Sequence, residues 1–249
     1  MPNVALRFYA ELNDFLREVH RQKRFEIALN RRTSVKDLIE SLGVPHTEVE
    51  IILANGKSVD FSYIVKARDD LSIYPMFESV DVSPVLRLRD TPLRDIRFVL
   101  DCHLGRLARY LRQFGFDTLY RNDYTDDELA ETSARDHRVL LTRDRSLLKR
   151  SIITHGYFIR EFDPRRQLDE VIRRFDLRNQ IIPFGRCTRC NGIVEAVDKK
   201  QIEHALEPKT RRYFEDFWQC TGCGQIYWEG SHVKHMIALT DEVLNGDAD

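Results

Sequence analysis

The tightest constraint on this chain is a pair of Cys-x-x-Cys motifs, Cys187-Thr-Arg-Cys190 and Cys220-Thr-Gly-Cys223, with 29 residues between them. Each motif presents two thiolates to one cation, and the glycines that follow, Gly192 and Gly224, let backbone amides approach the sulfurs. Two such turns complete a tetrahedral four-sulfur site, closed and therefore structural, whose natural cation is Zn²⁺. Four unrelated cysteines or a redox pair fit this spacing far less well. The separation exceeds the commonest ribbon spacing, so 199–217 is expected to be an inserted helix or hairpin within a zinc-ribbon module over 181–249. Its basic and aromatic residues (Lys209, Arg211, Arg212, Tyr213, Phe217, Trp218) read as the core of that module in preference to an RNA-stacking surface. His232 and His235 read as surface residues and not as extra ligands, and lone Cys102 as a small buried hydrophobe beside a pocket-facing His103. With four of five cysteines in tight pairs, a disulfide framework is excluded, and a reducing, cytoplasmic setting is expected.

The other end of the chain follows a different pattern. Val4, Leu6 and Phe8 alternate as a half-buried strand, 24–29 forms a second, and 33–42 a helix with Ser34 as N-cap and Gly43 as stop. A strand over 50–54, the tight turn Asn55-Gly56 and a last strand over 69–75 follow. That order is the order of a β-grasp fold, placed at 1–82. The stretch 83–95, with Pro84 and Pro92, reads as a linker. No apolar run is long enough to span a bilayer, and the N-terminus carries charge throughout, unlike a signal peptide.

From 96 the pattern alternates between strand and helix: strands at 96–100, 116–120, 139–142 and 157–162, helices at 104–114, 125–134, 146–150 and 164–175. Four such units imply a parallel sheet flanked by helices over 96–180. Ligands of such sheets lie beyond the carboxyl ends of the strands. There stand Asp101, then Asp123, Asp126 and Asp127, then Asp144, then Asp163. Unpaired carboxylates gathered in one pocket repel unless a cation sits among them, and oxygen-only ligation suits Mg²⁺ or Mn²⁺. The same positions also suit helix N-caps, the natural reading of Asp163-Pro164, and spacing alone leaves both readings open. The formal net charge of -1 argues against a broadly basic surface, yet 96–180 carries 17 basic and 14 acidic side chains. An arginine shell of Arg106, Arg109, Arg112, Arg143 and Arg145 would hold a polyanion by its phosphates.

Two resemblances sharpen this reading. RFYAELNDFL and NGKSVDFSY resemble the ubiquitin-like sulfur carriers of thiamin and molybdopterin synthesis. Those carriers act through a terminal Gly-Gly, whereas this segment runs on as Pro75-Met76-Phe77-Glu78-Ser79, so the resemblance implies an interaction or positioning module. DCHLGRLARYLRQFGFDTLY and TDDELAETSARDHRVLLTRDRSLLKR resemble the Mut-seven C-terminal RNase domain family, a branch of the PIN-like nucleases, whose members often carry a ubiquitin-like domain in front. The resemblance implies an α/β, PIN-like domain that cleaves RNA with a divalent metal, Mg²⁺ or Mn²⁺, held by Asp101, Asp126 (with Asp123 and Asp127 competing for that place) and Asp144. The expected protein is thus a metal-dependent ribonuclease with RNA as substrate and a possible protein partner for its first domain. The alternative is a non-catalytic RNA-binding or adaptor protein that uses the arginines and the zinc ribbon.

Overall fold

The computed structural model of the protein describes residues 3–75 and 96–228. The strands are β1 (Asn3–Phe8), β2 (Phe25–Ala28), β3 (Val49–Ala54), β4 (Lys57–Val59), β5 (Asp70–Pro75), β6 (Phe98–Leu100), β7 (Thr118–Tyr120), β8 (Val139–Thr142), β9 (Gly156–Phe158), β10 (Val194–Val197), β11 (Phe217–Cys220) and β12 (Ile226–Trp228). The α-helices are α1 (Val35–Ser41), α2 (Gly105–Gln113), α3 (Asp126–Arg135), α4 (Pro164–Arg174), α5 (Lys199–Ile202) and α6 (Pro208–Tyr213). The chain divides into two compact units, Met1–Asp95 with Thr125–Phe158, and Ile96–Tyr124 with Ile159–Asp249. The linker at 83–95, His232 and His235 lie outside the described residues.

In the first unit, β2-β1-β5-β3-β4 form one sheet with the central pair β1 and β5 parallel and the outer pairings antiparallel. The alternation of β1 buries Val4, Leu6 and Phe8 against Leu12, Ile39, Ile52, Leu71 and Ile73. Each such large side chain contributes about 1.5–3 kcal/mol by leaving water. Ser34 caps α1 by accepting from the Asp37 amide at 3.1 Å, as its position before the apolar run requires. Asn55 and Gly56 both take positive φ, 51° and 77°, the geometry of a type I′ hairpin turn.

The same unit holds α3 and the parallel pair β8–β9, with Leu141 opposite Tyr157. Thr125 and Glu128 close a reciprocal capping box at the start of α3. A short 3-10 turn over His46–Glu48 in the β-grasp region is buried against this segment. Glu48 Oε1 accepts from the Phe158 amide at 2.6 Å, and His46 Nε2 meets the Ile153 carbonyl at 2.9 Å. Phe15 packs edge-on against Phe158 at 5.7 Å between centroids. Sequence periodicity gives no sign of the Glu48 and His46 bonds, because polar residues make them.

In the second unit β6 and β7 pair in parallel, Val99 opposite Leu119. Helix α2 buries Leu107, Ala108 and Leu111, and α4 buries Leu168, Val171 and Ile172. Phe98 lies edge-on to Phe116 and Phe175. The fold is therefore α/β, with parallel strands flanked by helices, an N-terminal β-grasp sheet and a C-terminal cysteine-bearing ribbon. The strand expected at 157–162 stops at Phe158, because both oxygens of Glu170 on α4 capture the amides of Arg160 and Glu161 at 2.9 and 3.0 Å. Asp163 then accepts from the Arg165 and Arg166 amides and caps α4.

Candidate functional site

The cysteines come together within β10-β11-β12, an antiparallel sheet with Val194 opposite Cys220. All four Sγ atoms lie within 4.8 Å of one another, with Cys187–Cys223 at 3.6 Å and Cys190–Cys220 at 3.4 Å. A disulfide would need about 2.05 Å. Tetrahedral thiolates around one Zn²⁺ at about 2.3 Å stand about 3.8 Å apart. The amides of Gly222 and Cys223 each approach Cys220 Sγ at 3.4 Å. A Cβ on Gly192 would sit 2.9 Å from Cys220 Sγ and 3.3 Å from Cys190 Sγ, so that glycine makes room for the sulfurs. The cluster fits a structural zinc ion. Burial pushes the Cys187 thiol up, but hydrogen bonds from the Tyr227 hydroxyl and the Cys190 and Arg189 amides outweigh it and bring the thiol down to about 6. Tyr227 is in turn pushed up to about 12, by burial first and then by its bond to Cys187. The intervening segment forms α5 and α6; Phe217 is buried and Trp218 half-buried, as expected of a module core, and Phe214 also packs against Trp228. Tyr213 departs from that expectation and stands 68% exposed.

The first cysteine turn is fastened to β7 and α2. Asn191 accepts from the Thr118 amide at 2.9 Å and donates to Asp117 Oδ1 at 2.8 Å. Arg112 is 5% exposed; its Nε donates to Thr118 O at 2.9 Å, and its Nη1 to Thr188 O and Arg189 O at 3.2 Å. Burial lowers its pKa from the ordinary guanidinium value, against the opposing charges of Cys187, Cys190 and Asp117. Arg112 therefore spends its donors on the backbone.

Asp101 closes β6 and is 8% exposed. Its side chain does not cap the 3-10 turn Cys102–Leu104 that it precedes. Cys102 is half-buried, and its hydrogen bond to Asp101, then burial, push its thiol up. Gly105 is required beside this turn, because a Cβ there would lie 2.6 Å from the Tyr120 hydroxyl, which donates to Cys102 O at 2.9 Å. Asp144 stands two residues beyond β8 in the first unit. Its Oδ1 accepts from the Ser146 hydroxyl at 2.6 Å and the Ser146 amide at 2.7 Å. The hydroxyl bond foremost, opposed by burial and aided by the Ser146 and Leu147 amides, holds its carboxyl below the usual range, so it stays ionised.

The middle acids separate by partner. Asp127 ion-pairs with Arg150, and Asp123 with Arg121 at 2.9 Å. Asp126, the exposed first residue of α3, has no ion pair of its own among the described residues. Among the described residues, Asp101 alone of these acids belongs to a compact group of ligand-type side chains, with Cys102 and His103. The expected arginine shell is likewise divided. Arg145 lies 5.0 Å over both the Phe15 and Phe158 rings, and Arg143 is half-buried beside it in sequence. Arg106 and Arg109 instead open onto a cleft of about 730 Å³ in the second unit, with Arg112 at its wall. Sequence reasoning missed the other lining residues of this cleft, among them Arg121, Phe162 and Arg189. Arg189 was concealed as a spacer residue of a Cys-x-x-Cys motif, and Phe162 by its place in an expected strand.

An α/β domain with an acid closing its first strand, a structural cysteine centre and a β-grasp domain in front defines the class. Residues 96–240 match the model of the Mut7-C RNAse domain, and residues 1–81 that of the Mut7-C ubiquitin domain. The chain belongs to the Mut7-C RNAse domain family, which suggests a nuclease-type function and implies RNA as substrate. No curated protein and no solved structure matches it. Among the described residues no helix is long and apolar enough to cross a membrane.

Proposed function

We propose that the protein is a divalent-metal-dependent ribonuclease of PIN-like type, in which Asp101, Asp126 and Asp144 hold Mg²⁺ or Mn²⁺. The observation that carries this reading is Asp101, a nearly buried carboxylate at a strand end that leaves the following turn uncapped. A capping role would have engaged its oxygens with the backbone amides of that turn, whereas its side-chain bond there is to the Cys102 thiol. Asp126 is the middle ligand because its two neighbours are already neutralised by arginines. Hard carboxylate oxygens suit these ions. Such an ion supplies an activated water and charge for the leaving oxygen. The chain's own part is to keep Asp144 ionised through Ser146, to hold Asp101 at the end of β6, and to neutralise phosphates with Arg106, Arg109 and Arg143. Arg112 and Arg145 act as positioning residues, since the first bonds backbone carbonyls and the second packs on rings. The β-grasp domain takes a protein partner, and thiolates kept for zinc suit a cytoplasmic setting.

In the test, single-stranded RNA is incubated with Mn²⁺ and wild-type, Asp101→Asn or Asp144→Asn protein. Both variants are expected to lose cleavage while keeping zinc and melting temperature, and undiminished cleavage by both would refute the reading. The Ser146 bonds to Asp144 favour a second reading, a non-catalytic RNA adaptor whose acids only shape turns. RNA binding with no uptake of Mn²⁺ would select it.

A further inference from the structure

The proposed nuclease uses Arg106 and Arg109 for phosphates but leaves the rest of their cleft in the second unit without a role. The cleft of about 730 Å³ is lined by five arginines (Arg106, Arg109, Arg112, Arg121 and Arg189) and by no acidic residue. In a chain of net charge -1 this is a strong local concentration. Arg106, Arg109 and Arg189 have no ion pair among the described residues, whereas Arg121 is paired with Asp123 and Arg112 is committed to the backbone. Phe162 stands at the same cleft 82% exposed, the most exposed of the large hydrophobic side chains among the described residues. A large apolar ring this exposed, beside guanidinium groups that have no ion pair among the described residues, suits a ligand that brings both a flat π-face and negative charge.

Resting on the nuclease reading, we infer that this cleft is the single-stranded RNA subsite of the enzyme, with Phe162 stacking an unpaired base and Arg106, Arg109 and Arg189 holding phosphates. Arg106 and Arg109 stand three residues apart on α2, so both project from one helix face toward the same strand. Base pairing hides the faces that Phe162 would stack on, so a duplex cannot use the aromatic wall. Arg189 and Thr188 place the first cysteine turn in the lining of the cleft. The bonds of Arg112 and Asn191 tie that turn to α2 and β7. A zinc ion held by Cys187, Cys190, Cys220 and Cys223 would fix the turn that carries Arg189. The cleft also begins at His103, two residues after Asp101.

The test is fluorescence anisotropy of zinc-loaded full-length protein with a labelled ten-nucleotide single-stranded RNA, in Ca²⁺ so that binding is read without cleavage. The same RNA as a duplex, and the matching single-stranded DNA, are the comparison probes. Phe162→Ala is expected to weaken single-strand binding about fivefold or more, and Phe162→Trp to restore it. Arg189→Ala is expected to weaken it and to lower the salt slope by about 0.7. Zinc content and melting temperature should stay at the wild-type values in each. Arg173→Ala, which removes one charge on α4 outside the cleft, should bind as wild type. Wild-type affinity in both Phe162→Ala and Arg189→Ala, a preference for duplex or for DNA, or an equal loss in Arg173→Ala would each overturn the inference. Cleavage in Mn²⁺ is measured separately. Intact cleavage with indifferent cleft variants rejects the subsite alone, and cleft-dependent binding without cleavage rejects the nuclease reading alone.

Discussion

Single side chains in this protein act mainly by satisfying one neighbour. Gly192 is a glycine because two sulfurs occupy the space of a side chain. Gly192→Ala must push Cys220 or Cys190 aside, so zinc release to a competing chelator should be faster and zinc content after dialysis lower than in wild type. Tyr63 donates to Asp69 Oδ2 at 3.0 Å, and burial, followed by that bond and the Asp69 charge, raises its pKa above 10.0. The unfolded chain therefore ionises this phenol before the folded chain does. The contribution to stability is complete below about pH 10 and is lost as pH rises through the folded value. Melting curves between pH 8 and 11 should show a shallower alkaline decline in Tyr63→Phe than in wild type. An identical decline would remove Tyr63 from the account.

Among elements, the attachments are polar. Asn191 ties the first cysteine turn to β7, and its loss leaves the fully buried Thr118 amide without an acceptor. Asn191→Ala should cost about 1–3 kcal/mol, measured by urea denaturation of the zinc-loaded protein. Glu48 serves the first unit in the same way. Glu48→Ala strips the acceptor from the Phe158 amide and should cost a similar ~1–3 kcal/mol, with faster exchange of the Phe158 amide hydrogen. These attachments explain what the sequence conceals. The β-grasp order, the capping box at Thr125, the Asp163 cap and the four sulfurs all follow local or short-period patterns, and each is present in the structure. The end of β9 at Phe158 is set by Glu170, whose carboxylate folds back from the next helix onto amides nine and ten residues earlier. The roles of Arg112 and Arg145 depend on carbonyls and rings that no periodicity reveals. Of the candidate site, the strand-end position of Asp101 and the ionised state of Asp144 follow from sequence neighbours. The cleft wall at Arg189 and Phe162 needs the folded chain.

For the whole molecule, net charge is a poor guide to the partner. The chain sums to -1, yet the cleft of the second unit gathers arginines with no acid among them. On the proposed reading two metals differ in role, zinc serving architecture and Mg²⁺ or Mn²⁺ serving chemistry. That reading requires Asp101 to serve chemistry and not folding. The most direct test is single-turnover cleavage of a labelled single-stranded RNA in Mn²⁺, with saturating zinc-loaded wild-type or Asp101→Asn protein. The account predicts that the variant binds RNA and melts as wild type while its cleavage rate falls at least about a hundredfold. An Asp101→Asn rate equal to wild type, with the fold and zinc intact, would contradict it.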